Sequence, residues 1–211
     1  MMTRLRFVGL DGEMTGSASR ERGIVASKKY ALIQIGLATM DVGERPEPVV
    51  FKPETLRTFT SDIGYDEWNS QPQAMEVNKF TPERIRAGPR ADKVDEAACA
   101  WLDANVGPGK RNLHAVGWNV GAFDLPFVTE YLPKTFNRFS YRSVDLNSIL
   151  FSMADTDNDY KRLKHKAKSG AEAELRNQGI IPEWHSAVYD AAAALVAFKL
   201  LREEILPEEF V

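Results

Sequence analysis

The side chains best able to do chemistry together open the chain. In Arg4 to Gly16, RLRFVGLDGEMTG, an apolar run delivers two carboxylates, Asp11 and Glu13, just before a glycine-marked turn. Alternate side chains of a β-strand share a face, so these two point the same way with Gly12 between them. Like charges at one site raise a pKa unless a cation joins them, and oxygen-only ligands suit Mg or Mn better than Zn. Asp124, in GWNVGAFD, stands just past an apolar strand and a small-residue turn, where ligands collect in mixed α/β sheets. In HSAVYD, Asp190 puts a charge into an otherwise apolar helix, and His185 precedes it. Residues five apart lie about 140° apart around a helix, which places His185 on the loop after Pro182, with Ser186 as the N-cap candidate. Each feature alone has a plainer reading: a solvated strand end, a helix N-terminus that favours acids, a structural histidine. The joint pattern carries the weight.

Positioning these groups requires a particular run of elements. The spacing predicts strands over the opening segment, over Tyr30 to Met40 and over Pro48 to Pro53, without an intervening helix, which implies an antiparallel three-strand meander. Ser17 to Lys29 reads as a polar loop and Thr58 to Pro72 as irregular. Pro82 after Thr81 marks a helix start, and Ala91 to Asn105 is an amphipathic helix with Val94, Ala97, Ala98, Trp101 and Leu102 on its stripe. From there the chain alternates: a strand at Leu113 to Trp118, a helix at Ala122 to Tyr131, a short strand in Phe139 to Asp145, then helices at Glu172 to Gln178 and Ala187 to Glu204. That alternation implies parallel strands after the meander. The charged segment Asp155 to Lys168 begins with DTDND, which lacks the glycine and terminal glutamate of a calcium loop. It ends in the only basic run, with Lys161, Arg162, Lys164, His165, Lys166 and Lys168.

Composition narrows the class. A chain of 211 residues with 44% apolar content suits one domain, 1–211, with a real core. A net charge of -3 argues against a broad basic surface for long nucleic acid, so such a substrate would be held locally. The single cysteine, Cys99, excludes an internal disulfide, and its helical, apolar setting predicts a buried structural thiol. No apolar run approaches a membrane span, and no leader-type segment opens the chain, so a cytoplasmic protein is expected.

Taken together, D-x-E on a first strand, Asp124 after a fourth, and H-x-x-x-x-D at the last helix resemble the histidine-bearing (DEDDh) branch of the DEDD superfamily of 3′→5′ exonucleases. The resemblance runs from about Phe7 to Leu201. It implies an α/β, ribonuclease H-like mixed sheet, with the meander followed by parallel strands and helices on both faces. It further implies two divalent ions, Mg or Mn, held by Asp11, Glu13, Asp124 and Asp190, with His185 as general base for phosphodiester hydrolysis. The substrate would be single-stranded or short nucleic acid, RNA or DNA. EMTG at Glu13 to Gly16, Asn119 with EYLP at Glu130 to Pro133, and YRSVDLNS at Tyr141 to Ser148 look like oligoribonuclease, which implies a homodimer and a substrate-side role for Tyr141. Gln34 departs from that family, where a glutamate is common, and so does Ser17, where a leucine is usual. AMEVNKFTPERI, at Ala74 to Ile85, is similar to ribonuclease T and proofreading domains and brings Asn78 into the substrate-binding set.

By the same resemblance, backbone groups at Met14 and Thr15 would meet the terminal 3′-hydroxyl, with Met14 against the last base. Trp118 and Phe123 flank the site in sequence and could stack on bases, although burial in the core is the plainer reading of both. The basic run would contact phosphates or face solvent. A catalytically silent nucleic-acid-binding adaptor of the same fold is the alternative, and a metal-binding scaffold with a coincidental pattern is a third.

Overall fold

A computed structural model describes residues 5–17, 25–42, 51–183 and 185–205. Its elements are β1 (Arg6–Met14), α1 (Ala26–Lys29), β2 (Leu32–Val42), β3 (Phe51–Asp62), α2 (Pro72–Asn78), α3 (Pro82–Ala87), α4 (Ala91–Val106) and β4 (Leu113–Gly117). There follow α5 (Asp124–Tyr131), α6 (Pro133–Phe136), β5 (Val144–Asp145), α7 (Leu146–Ser152), α8 (Asp157–Asn177) and α9 (Ala187–Ile205). The described strands form a five-stranded sheet in the order β3-β2-β1-β4-β5. β2 runs antiparallel to β1 and β3, whereas β4 is parallel to β1 and β5 to β4. The expected meander followed by parallel strands is therefore present.

Strand alternation divides the core between two faces. Val8 and Leu10 of β1 and Ile35 and Leu37 of β2 turn to one side, where Val94, Ala98 and Leu102 of α4 and Phe127 of α5 cover them. Ala38 and Met40 turn to the other, under the alanine-rich α9, with Ala167, Ala171 and Leu175 of α8 behind it. Gly9 and Gly36 occupy that second face where α9 crosses. A Cβ on Gly9 would stand 2.1 Å from Ala191 O, and one on Gly36 2.0 Å from Ala187 O. Only glycine permits this approach, which lays the first turns of α9 directly on β1 and β2.

Several expectations change in extent. The predicted loop from Ser17 ends in a helical turn, Ala26–Lys29, and residues 18–24 lie outside the described residues. The third strand was expected at Pro48 to Pro53. Residues 48–50 lie outside the described residues, and the strand runs on to Asp62, taking in part of the segment read as irregular. Its polar sequence is tolerated because β3 is an edge strand, with Phe59 packed on Trp101. A separate helix α2 precedes α3, divided from it by the left-handed Lys79 at φ 58°. The segment Phe139 to Asp145 contributes only two residues of strand plus an isolated bridge from Phe139 to Leu113. The largest change is α8, where the charged segment is helical from Asp157. Thr156 Oγ1 caps it by accepting the Asp159 N–H at 3.1 Å. Cys99 is half-buried rather than buried. Among the described residues no helix is long and apolar enough to cross a membrane.

Candidate metal and nucleic-acid site

β4 pairs with β1 only as far as Gly9, so from Leu10 onward that edge of β1 is open. A buried strand N–H left there needs a partner. Gly12 finds it in Asp124, whose Oδ1 accepts the Gly12 N–H at 3.1 Å. Asp124 is the first residue of α5 and only 3% exposed, so this bond fixes its carboxylate between Asp11 and Glu13. Asp11 and Glu13 share the sheet face over which α9 crosses. Asp190, in the first turn of α9, joins them from above. Its Oδ2 accepts the backbone N–H of His185 at 2.9 Å.

His185 sits on the loop before α9, as its spacing required, in the left-handed region at φ 66°. Glu13, His185 and Asp190 bring potential ligand atoms within 4.8 Å of one another. Asp11, Glu13, Asp124, His185 and Asp190 thus converge at the open end of β1.

Electrostatics record the crowding. Asp11 is raised well above its ordinary 3.8, first by burial, then by the charges of Asp124, Asp190 and Glu13, with Lys168 opposing. Burial pushes Glu13 up to about 7, helped by Asp190. It pushes Asp124 up to about 8 despite the N–H groups that Asp124 accepts. Asp190 is raised by burial against the pull of the His185 N–H, Lys168 and His185. Two buried acids and two half-buried ones, raised first by burial and in Asp11, Glu13 and Asp124 also by neighbouring carboxylates, form a donor set that a hard divalent cation fits, because the cation offsets both the burial and the repulsion.

A cleft of 290 Å³ opens beside Glu13, at the small end of ligand pockets. Met14, Asn78 and Phe123 line it together with Val77 and Gln71. Three of the sequence-selected substrate residues therefore share one cleft. Asn78 also supports it, donating from Nδ2 to Met14 O at 3.0 Å.

Thr15 takes a different part. It is fully buried, its N–H donates to Ala31 O and its carbonyl accepts from Gln71. Its hydroxyl donates to Asn69 O at 2.6 Å. These bonds engage its N–H, carbonyl and hydroxyl inside the protein, beside the Met14 that lines the cleft. Asn119, at φ 62°, shapes the turn before Asp124, and its N–H donates to Asp145 Oδ1 at 2.9 Å. Trp118 is half-buried, with two lysines over its ring. Tyr141 does not line the cleft; it is 82% exposed, with the Arg142 guanidinium 5.1 Å from its ring centroid.

Sequence reasoning passed over α2, and it marked Gln34 as a departure from a family pattern without giving it a structural role. Gln34 faces Glu13 across the β1–β2 pairing, and its Oε1 accepts the Ala187 N–H at 2.9 Å while its Nε2 donates to Asp62 at 2.8 Å. The capping of α9 thus comes from the sheet, not only from the Ser186 position. A lone glutamine in an apolar strand, YALIQIGLATM, was the available signal.

No family model and no curated protein sequence matches the chain. Solved structures do. E. coli exonuclease I in complex with a dT13 oligonucleotide matches with a TM-score of 0.61 and 15% identity, over 94% of this chain and 41% of that one. The zinc-ion-bound form of the E. coli exonuclease I–ssDNA complex matches at 0.59 and 13%, over 96% and 41%. Product-bound exonuclease I matches at 0.60 and 15%, over 95% and 44%. The chain spans about two fifths of the length of these exonuclease I chains. The shared fold is the ribonuclease H-like one, a mixed sheet with helices on both faces.

Proposed function

We propose that the chain is a metal-dependent 3′→5′ exonuclease domain acting on single-stranded or short nucleic acid. The observation that supports this reading is the convergence of Asp11, Glu13, Asp124, Asp190 and His185 at the open end of β1, beside a cleft. Asp11, Glu13, Asp124 and Asp190 would hold two divalent ions, Mg or Mn. Such ions, when bound, supply charge neutralisation and Lewis acidity toward a phosphodiester.

The chain's own residues would do the rest. Gly12 locks the Asp124 carboxylate, and the His185 N–H orients that of Asp190, so neither need reorganise when substrate arrives. His185, exposed on its loop, can take a proton from the attacking water at an imidazole nitrogen. Met14, Phe123 and Val77 give the cleft an apolar wall for the terminal base, while Asn78 holds the Met14 carbonyl. Tyr141 is open to a second copy of the chain, which accords with a homodimer in which it reaches the neighbouring site.

Incubation of the protein with a 5′-labelled single-stranded oligomer, in Mn or in chelator, tests the reading. Stepwise shortening from the 3′ end that disappears in chelator is the expected result. Binding without shortening would mark a silent adaptor, and neither binding nor shortening would leave a scaffold. Ribo- and deoxy-oligomers compared side by side then give the preferred sugar.

A further inference from the structure

The basic run on α8 is not uniform. Lys164 and Lys168 are one turn apart and share a face, and each places its Nζ 5.4 Å from the centroid of the Trp118 ring. Lys161, Arg162, His165 and Lys166 are exposed. Trp118 directly follows β4 and packs on the α9 side of the core, with its Nε1 buried, so its ring rather than its polar edge is offered to α8. Tyr160 adds a second ring, 5.7 Å from Lys164 Nζ, and its hydroxyl donates to Asn147 at 2.7 Å, tying α8 to α7.

Two ammonium groups are thus held over aromatic surface, which favours them, at the cost of their mutual repulsion. Lys168 is close enough to Asp11 and Asp190 for its charge to act on both carboxylates. Burial and the charge of Lys164 lower its own pKa, as a group withdrawn from solvent requires. A solvated helix face has neither feature.

We infer that Lys164 and Lys168, carried on the Trp118 ring, form an anion subsite for the backbone phosphates of a single strand, on the 5′ side of the bond cleaved at the carboxylate cluster. This rests on the nuclease reading of that cluster. With the 3′-terminal nucleoside in the cleft beside Glu13, the remaining strand lies 5′ of it and has to leave past the carboxylates. Lys168 is the cation that flanks them from α8. Trp118 then acts through its lysines instead of stacking on bases, and specificity in this subsite is for phosphate charge rather than sequence.

The test measures hydrolysis of thymidylate dimers and octamers in Mn over a range of salt concentrations. For Lys164→Ala the KM for the octamer should rise severalfold, with a smaller change for the dimer, and the log–log salt slope should fall by about one. Lys164→Arg should restore both. Lys161→Ala, with the same loss of charge on the exposed face, should leave the length dependence as in the wild type. Equal effects of Lys164→Ala on dimer and octamer, or an unchanged salt slope, would overturn the subsite while leaving the nuclease reading intact. A wild-type protein that hydrolyses neither substrate would overturn the nuclease reading. In that event, anisotropy of a labelled octamer in chelator decides the anion subsite separately: weaker binding by Lys164→Ala supports it and equal binding removes it.

Discussion

Gln34 Oε1 accepts the N–H of Ala187 at 2.9 Å, so the N-terminus of the helix that carries Asp190 is capped by the strand next to the one that carries Asp11. The chain continues through Asp62, which Arg84 grips with bonds of 2.7 and 2.9 Å. Gln34→Ala should leave the buried Ala187 donor unpaired and cost about 1–2 kcal/mol, which lowers Tm by about 2–8 °C. Turnover should fall with it because His185 and Asp190 lose their anchor. Gln34→Glu should be worse above pH 5, since it sets a carboxylate against Asp62; thermal melts at pH 4.5 and pH 7 check the difference.

The close approach at Gly36 predicts an unusually severe glycine substitution. Gly36→Ala has no room at 2.0 Å from a backbone carbonyl and should cost about 3 kcal/mol or more. Gly170→Ala in α8 meets only the end of Leu200 at 3.1 Å, so removing a helical glycine there should raise stability by about 0.5–1 kcal/mol. Denaturant titration of both variants compares them, and equal effects would contradict the tight docking of α9.

Stability in chelator should fall as pH rises. Glu13 and Asp124 are pushed up to about 7 and about 8 from ordinary values of 4.5 and 3.8. Between those values the folded protein keeps protons that the unfolded chain has released. The contribution is complete below about pH 4 and is lost as pH passes through about 8. Exposed pairs such as Arg57–Asp41 act in the opposite sense only at low pH and are screened. Tm in chelator should therefore drop by several degrees from pH 5 to pH 8. Asp124→Asn, which can still accept from Gly12, should recover part of the loss while abolishing turnover. Mn should raise Tm more at pH 8 than at pH 5.

At His185 the backbone and the side chain have separable roles. His185→Asn tolerates the left-handed φ of 66° and should keep wild-type stability, whereas His185→Ala should lose about 1 kcal/mol. Both should lower kcat by about 10²–10⁴-fold if the imidazole takes the proton. An unchanged kcat in the asparagine variant would remove His185 from the chemistry.

Much of the candidate site was legible because its residues break local rules. Asp11, Glu13 and Asp190 are charges in otherwise apolar elements, and Asp124 follows a strand where a helix begins. Thr81 and Pro82 marked α3 correctly, since capping is written in adjacent residues. The length of α8 was hidden because its buried stripe is only Ala167, Ala171 and Leu175 among charges, which leaves little periodicity to detect. β3 was underestimated because an edge strand can be polar, and nothing local says which strand is an edge. The Gln34–Ala187 bond spans 153 positions, and no pattern in a single sequence reports such a partner.

The absence of side chains at Gly9 and Gly36 ties the integrity of the carboxylate cluster to global cooperativity. Because α9 rests on the bare backbone of β1 and β2, no partial opening can separate Asp190 from Asp11 without dismantling the central sheet. Loss of divalent affinity under denaturant should thus coincide with overall unfolding rather than precede it.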